Sequence, residues 1–594
     1  MGRLFQELKR RNVFRVGVAY VIVAWLLLQV ADVVLPTFRT PDWVMQAFTF
    51  LLVLGFPLAL IFAWAFELTP EGLKLEKQVV RDESITQATG RKLDLVIIAM
   101  LVVALGYFGY DKFILNPDRH AAEIEAAVQV AREELISAVE PQDSAKTIVV
   151  LPFVNMSNDP DNEYFSDGIS EEILNLLAKV PELRVTSRSS AFSFKGQNVD
   201  VPTMAARLHV AHVLEGSVRK SGNQLRITAQ LIEVEADTHL WSETYDRELE
   251  NVFAIQDEIA TAVVDALKIT LLGKELKTTE TDPEAFALYL QGRRFANQVT
   301  AESNKQAEAL LKQALAIDPR FAPAWTELGS VYQAQADLVG GRPIDEGHEL
   351  ARDAIQRALA IDPQNGRAYM ILAWTEQGHD RDFRAANKHM WQSLALNPGD
   401  AYILRTAAWL VHEIGHVDEA IDLNRRSIAL DPLSPQGHIN LGATYLKAHR
   451  LEEAADSLQL GLSLMPGHSR GQLTFGMVLL AQGDAPAALV AIKQVTSVPW
   501  RVFGMAIVQH ALGDTAASDA ALNTLIECCA AAGAYQVAQV YAFRGEIDPA
   551  FEWLGQAYDN RDGGLTGMLN SRSLTNLHDD PRWEPFLDKV GLPH

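Results

Sequence analysis

The chain has 594 residues, 48% of them apolar and 21% charged, with a formal net charge of −23. That length and mixture exclude a disordered or collagen-like chain and ask for several folded domains, and so acidic a protein has no general attraction for nucleic acid. The two cysteines, Cys528 and Cys529, are adjacent, which excludes a zinc ribbon. Neighbours on one helix point about 100° apart, so a structural bond between them is not expected and they read as two small core residues.

In chain order, residues 1–15 carry Arg3, Lys9, Arg10, Arg11 and Arg15, and three apolar stretches follow at 16–35, 43–66 and 93–114. Each is long enough to cross a bilayer at about 1.5 Å per residue. The first is longer than the apolar region of a signal peptide, and Leu35-Pro36-Thr37 is no small-x-small cleavage site. Trp43, Trp64, Tyr107, Phe108 and Tyr110 stand where an interfacial belt would form. The loop 67–92 holds Lys74, Lys77, Arg81, Arg91 and Lys92, whereas the loop 36–42 holds only Arg39. The positive-inside rule then keeps the N-terminus in the cytoplasm and puts everything after about 115 outside. The expectation is a multi-pass membrane domain over 1–115, with the lipid bilayer as a partner and a bacterial inner membrane as the location, followed by a helical stalk or linker over 116–145.

Residues 146–275 read as an α+β domain in the order β-α-β-α-β-β-β-α. The run Thr147-Ile-Val-Val-Leu-Pro-Phe is apolar and β-branched, as a buried strand requires, and Ser221-Gly222-Asn223 marks a hairpin turn between two alternating segments. The stretches Tyr164-Phe-Ser-Asp-Gly-Ile-Ser-Glu-Glu-Ile, Leu214-Glu-Gly-Ser-Val-Arg and His239-Leu-Trp-Ser-Glu-Thr-Tyr-Asp-Arg resemble a domain found before helical repeats in many bacterial proteins. That domain is similar to the amino-terminal domain of TolB and to FlgO. The resemblance implies an extracytoplasmic domain. Relatives join it to a winged-helix regulator or a class III cyclase, and residues 1–15 are too short to be expected to fold as either. Asp159, Asp161, Glu163, Asp167, Glu171 and Glu172 cluster about a helix start. Such a cluster can offer oxygens to Ca²⁺ or simply favour the helix dipole, and its spacing is not that of an EF-hand.

From residue 282 the chain repeats itself. Ala-Leu-Ala-Ile-Asp-Pro ends at Pro319 and again at Pro363, and looser copies end at Pro398, Pro432 and Pro466, so that from Pro363 the prolines stand 35, 34 and 34 residues apart. Trp325, Leu328, Gly329 and Tyr332 fit the pattern W-x2-L-G-x2-Y, and His438, Leu441, Gly442 and Tyr445 fit it with His in the first place. The period and motif resemble a tetratricopeptide (TPR) array. They imply an all-α solenoid over 282–594 of about eight helix pairs with a C-terminal cap, and an insertion at 337–347 that is either a partner contact or a tolerated loop. The first helix of each TPR unit lines the concave groove. The register puts Tyr402, Arg405, Trp409, His412, Glu413, Ile439, Lys447, Arg470 and Met477 there as candidate contacts for a protein partner. The Lys/Asn clamp that chaperone-binding TPR proteins close on a C-terminal carboxylate is not matched, because the paired Asn residues are missing.

His412-Glu413-Ile414-Gly415-His416 spells H-E-x-x-H, which on one helix would hold zinc and supply a general base. The repeat register places Gly415 at the turn between two helices and so separates the histidines. The expected protein is therefore multidomain, with three transmembrane helices, an α+β domain and a TPR solenoid. It is read as a non-catalytic inner-membrane scaffold or assembly factor, with no catalytic residues, cofactor or metal, and no enzyme. The alternative is a transmembrane sensor or signalling component that regulates a cytoplasmic effector; a metal-dependent hydrolase is the remote third. The sequence leaves the oligomeric state open.

Overall fold

The structure is a computed structural model. It describes residues 146–592 apart from 181, 198, 270–276, 338–339 and 531–532, together with a few positions before 146. The chain divides into two compact units, Met1–Ala127 and Val128–His594.

In the first unit, β1 (Phe66–Thr69) and β2 (Gly72–Leu75) form an antiparallel hairpin with Thr69 opposite Gly72. It stands where the sequence predicts the end of a membrane helix and the start of a loop. Among the described residues no helix is long and apolar enough to cross a membrane. The stretches 16–35, 43–66 and 93–114, and the stalk at 116–145, lie outside the described residues apart from isolated positions. The expectation of three transmembrane helices is corrected on this finding, and with it the bilayer as a partner, the inner-membrane location and an external array. An apolar run records only that side chains avoid water, a condition that a protein interior meets as well as lipid does.

The second unit opens on a mixed sheet. Its strands are β3 (Thr147–Val150), β4 (Val154–Asn155), β5 (Arg184–Val185), β6 (His212–Ser221), β7 (Gln224–Glu233) and β8 (Thr238–Glu248), in the order β5-β3-β6-β7-β8 with β4 beside β6. β3 runs parallel to both neighbours, and β6 to β8 form an antiparallel meander. Helices cover both faces of β3, which is why its run is apolar throughout instead of alternating. Ile148 and Val150 join the core under α1 (Glu163–Leu177) and α4 (Val252–Ala266). Val149 joins a second core with Ala191 of α2 (Arg188–Phe192) and with Met204 and Leu208 of α3 (Val201–Leu208).

Eight antiparallel helix pairs follow, and the array is a TPR-repeat fold. The pairs are α5 (Pro283–Ala296) with α6 (Ala301–Ile317), α7 (Ala322–Asp337) with α8 (Ile344–Ile361), α9 (Gly366–Thr375) with α10 (Phe383–Leu396), and α11 (Ala401–Glu413) with α12 (Val417–Leu430). Then come α13 (Pro435–Lys447) with α14 (Leu451–Leu464), α15 (Ser469–Ala481) with α16 (Ala485–Lys493), α17 (Val498–Ala511) with α18 (Thr515–Cys529), and α19 (Ala534–Phe543) with α20 (Ile547–Asp559). The 3-10 turns Gly563–Gly567 and Arg572–Leu577 and α21 (Trp583–Val590) complete the chain. α6, α8, α10, α12 and α14 each end two residues before a proline of the repeated phrase. The reason is local: a proline ring pushes the preceding residue out of the helical region, and Asp318 and Asp362 accordingly sit at φ −127° and −125°. Cys528 and Cys529, at the end of α18, are joined as a disulfide, against the expectation from their places on a helix.

Contacts at three places tie the unit together. At the seam between the sheet domain and the first repeat, the rings of Phe253 on α4 and Phe286 on α5 stand edge to face at 4.9 Å. A Cβ on Gly168 of α1 would lie 2.5 Å from a methyl of Leu290, so any larger residue would have to displace that side chain where α1 approaches α5. Arg293, buried on α5, reaches Glu171 at 2.7 Å and Glu172 at 2.6 Å. Half-way along the array, the Ser189 and Ser190 hydroxyls donate to the two carboxylate oxygens of buried Asp431 at 2.5 and 2.6 Å, and the Ser187 amide donates to the Leu430 carbonyl at 2.7 Å. At the far end, the Thr566 hydroxyl donates to Glu413 at 3.0 Å, Arg561 meets Asp345 at 3.1 Å, and Phe383 of the third pair packs into the C-terminal core. The array thus winds round and its last segment docks on the second to fourth pairs.

Candidate functional site

The winding forms a partly open cavity of about 1810 Å³. First helices of successive pairs supply one wall, because in a TPR array they face the superhelix axis while second helices face outward. The other wall comes from Tyr535 of α19 and from Thr566, Asn570, Arg572 and His578 of the C-terminal segment, and the end of α7 and start of α8, flanking the insertion of the second pair, contribute Asp337, Ile344, Asp345 and His348.

Of the nine side chains placed in the groove from the repeat register, Tyr402, Arg405, Trp409, His412, Glu413, Lys447, Arg470 and Met477 line this cavity. Ile439 does not, and its place there is corrected. It is fully buried, and Cβ atoms added to Gly461 and Gly471 would each lie 2.9 Å from it, so it fills the space those glycines leave between helices. The register names the inward stripe of a helix but not which of its residues a neighbouring helix covers.

The centre of the wall is a compact polar cluster. His412 is buried, its ring stacks on Trp409 at 5.1 Å between centroids, and its Nδ1 meets the Thr444 hydroxyl at 3.1 Å. Lys447 donates to the His412 carbonyl at 3.2 Å. The Arg470 guanidinium lies 3.9 Å from the centre of the Trp409 ring. Burial, and then the charges of Lys447 and Arg470, hold the His412 imidazole well below its ordinary range. Burial likewise pulls Lys447 and Arg470 down, against the opposite pull of Glu413. Both cations keep partial exposure to the cavity although they sit deep in the molecule.

His412 and His416 do not act together. α11 ends at Glu413, Gly415 turns the chain with φ +91°, and His416 precedes α12 with an exposed side chain. A left-handed residue between two histidines destroys the shared helical face that zinc needs. The acidic cluster of the sheet domain is likewise spent on neighbours: Lys195 takes Glu163 and Asp167, Arg188 takes Glu171, and Arg293 takes Glu171 and Glu172. Among the described residues no group of three or more His, Cys, Asp or Glu side chains could hold a metal ion.

The neutral His412 makes stability depend on pH. Its folded pKa is depressed, so its contribution is complete above the unfolded value near 6.5 and is lost as pH falls from there toward the folded pKa. Stability should drop by up to about 1.4 kcal/mol per pH unit in that window from this group. His412→Gln, which can still meet Thr444, should flatten the fall. Urea midpoints from pH 7.5 to 5 test this, and equal slopes for the two proteins would refute it.

A family described as "HilA/YgeH-like transcriptional regulator, second domain" matches residues 144–262, the sheet with its helices. A protein named "Putative adenylate cyclase 3" from Rhizobium meliloti (strain 1021) is 39% identical over 257 residues, which is 41% of this chain and 43% of that one. "Transcriptional regulator HilA" of Salmonella typhimurium is 22% identical over 341 residues, 56% of this chain and 59% of that one. The chain thus spans about half the length of the curated relatives it matches. Among solved structures, one from a study of Pseudomonas aeruginosa pilF is 18% identical and covers 36% of this chain and 93% of its own, with a TM-score of 0.30, too low to carry an argument. The relation to a protein named as a cyclase corrects the expectation that the chain is no enzyme. The reading of a non-catalytic inner-membrane scaffold or assembly factor is corrected with it, since its membrane helices are not found among the described residues either.

Proposed function

We propose that this chain is a signalling component: its TPR cavity recognises a ligand or partner, and the sheet domain passes that event on. One observation carries the reading. Similarity reaches two proteins whose names give different outputs, a cyclase and a transcriptional regulator. A chain that resembles parts of proteins with different outputs is best suited to an input. Support also comes from the seam and the Asp431 clasp, which couple the array to the sheet domain at two separate places. In this proposal residues 146–275 are the coupling domain, of the TolB amino-terminal and FlgO type, and 282–594 the recognising array, with Tyr402, Arg405, Trp409, His412, Glu413, Lys447, Arg470 and Met477 as contacts.

A photo-crosslinking residue at Met477, inside the cavity, is expected to yield a discrete adduct in cells. The same residue at Leu460, 48% exposed on α14, is expected to yield none. Equal labelling from both sites, or labelling from Leu460 alone, counts against the cavity.

A second reading is favoured by the 39% identity to the Rhizobium meliloti protein: that the chain takes part in adenylate cyclisation. It predicts cyclic AMP from ATP with the purified chain; formation no faster than without protein removes it.

A further inference from the structure

Two deeply buried cations of this molecule meet carboxylates. Arg293 touches Glu171 and Glu172, and Arg544 lies 2.8 Å from Asp519. Arg470, like Arg405 over Tyr402 and Arg381 over Tyr558, meets an aromatic ring instead. Among the described residues no carboxylate comes within 4.0 Å of its guanidinium, which lies over the Trp409 ring. Lys447, next to it, spends one N–H on the His412 carbonyl and has two donors left. The carboxylate that acts on both is Glu413, and it accepts from Thr566 of the opposite wall at 3.0 Å. His412 is neutral, so the cluster holds two positive charges against one negative, inside a protein whose net charge is −23. An enclosed charge without a partner is costly, and an incoming anion relieves that cost.

The donors suit an oxyanion. A guanidinium presents parallel N–H groups that match the two oxygens of a carboxylate or phosphate, an ammonium adds a point charge, and the Trp409 ring holds the guanidinium plane in place. The same cavity offers apolar surface nearby in Met477, Trp500 and Phe503. We propose that Arg470 and Lys447 form an oxyanion site in the cavity wall, which takes one carboxylate or phosphate group of an organic ligand with an apolar body. The proposal rests on the cavity being the recognition site.

His412 reports on occupancy, since it lies against Lys447 and a bound anion offsets the charges that disfavour its protonation. The full chain is labelled at its histidine rings and titrated with hexanoate, hexyl phosphate and hexanol; the His412 signal is assigned by its loss in His412→Gln. Hexanoate, hexyl phosphate or both should move the His412 signal and raise its pKa, and hexanol should not. A response to only one anion identifies the group as carboxylate or phosphate. Arg470→Met should weaken the response at least about tenfold, the loss expected for one charge-assisted bond. Lys447→Met gives a second variant should the first fail to fold. No response to either anion, an equal response to hexanol, or a response unchanged in both variants overturns the site. Adducts from Met477 together with no anion response would leave the cavity reading standing and sink the oxyanion site alone.

Discussion

Arg293→Ala should cost the folded state about 3–5 kcal/mol. Arg293 is 5% exposed, and its guanidinium is shared between Glu171, Glu172 and the Tyr289 hydroxyl at 2.6–2.9 Å. Burial alone opposes its charge, but Glu171, Tyr289 and Glu172 more than offset this and hold it protonated. Burial already pushes the Glu172 carboxyl up, with Arg293 as the leading influence that pulls it back. Removing the arginine strands Glu172 at an interior seam and leaves Glu171 with Arg188 alone. Urea unfolding of the whole chain measures the loss, and adding Glu171→Gln with Glu172→Gln in the Ala background should recover part of it. A loss under about 1 kcal/mol, in the range of exposed pairs, would mean that water reaches the seam.

Phe286→Ala should cost a similar amount, about 3–5 kcal/mol, for a different reason. The ring lies against Phe253 of the sheet domain at 4.9 Å and stacks with Tyr289 at 6.3 Å, and Tyr289 meets Phe321 at 5.1 Å. Truncation leaves a void that the flanking helices cannot close, since the Gly168 contact already brings α1 and α5 together. The variant should also unfold in two steps, the array apart from the sheet domain, as the shared core is broken. A single cooperative transition displaced by under about 1 kcal/mol would refute the role given to this ring.

The two variants act on a seam that the sequence displays only in part. Phe286 and Leu290 are apolar at helical spacing, and so are legible as core. Nothing in their order says that the core they enter belongs to another domain. Glu171 and Glu172 read as part of a solvated acidic cluster, because their cation lies more than 120 residues away. The groove is divided in the same way. Tyr402, Arg405, Trp409 and Arg470 could be placed from the repeat register, since each repeat fixes the rotation of its first helix. Ile439 could not, because its exposure depends on Gly461 and Gly471 of the two following helices. That Thr566 and Arg572 of the C-terminal segment return to form the opposite wall carries no sequence mark at all.

By itself the sequence determined that the chain folds as TPR repeats, where their helices stop, and that β3 is a buried strand. These are local matters: a proline displaces the residue before it, a left-handed glycine ends a helix, and a β-branched apolar run needs cover. Only the tertiary structure decided that Asp431 is clasped by Ser189 and Ser190, that the last segment returns to Glu413 and Asp345, and that Arg470 faces the cavity with no carboxylate within 4.0 Å among the described residues. The physical reason is accumulation. Each pair adds a small rotation to the one before, and which side chains finally meet depends on the sum over eight pairs, a quantity no single stretch of sequence contains.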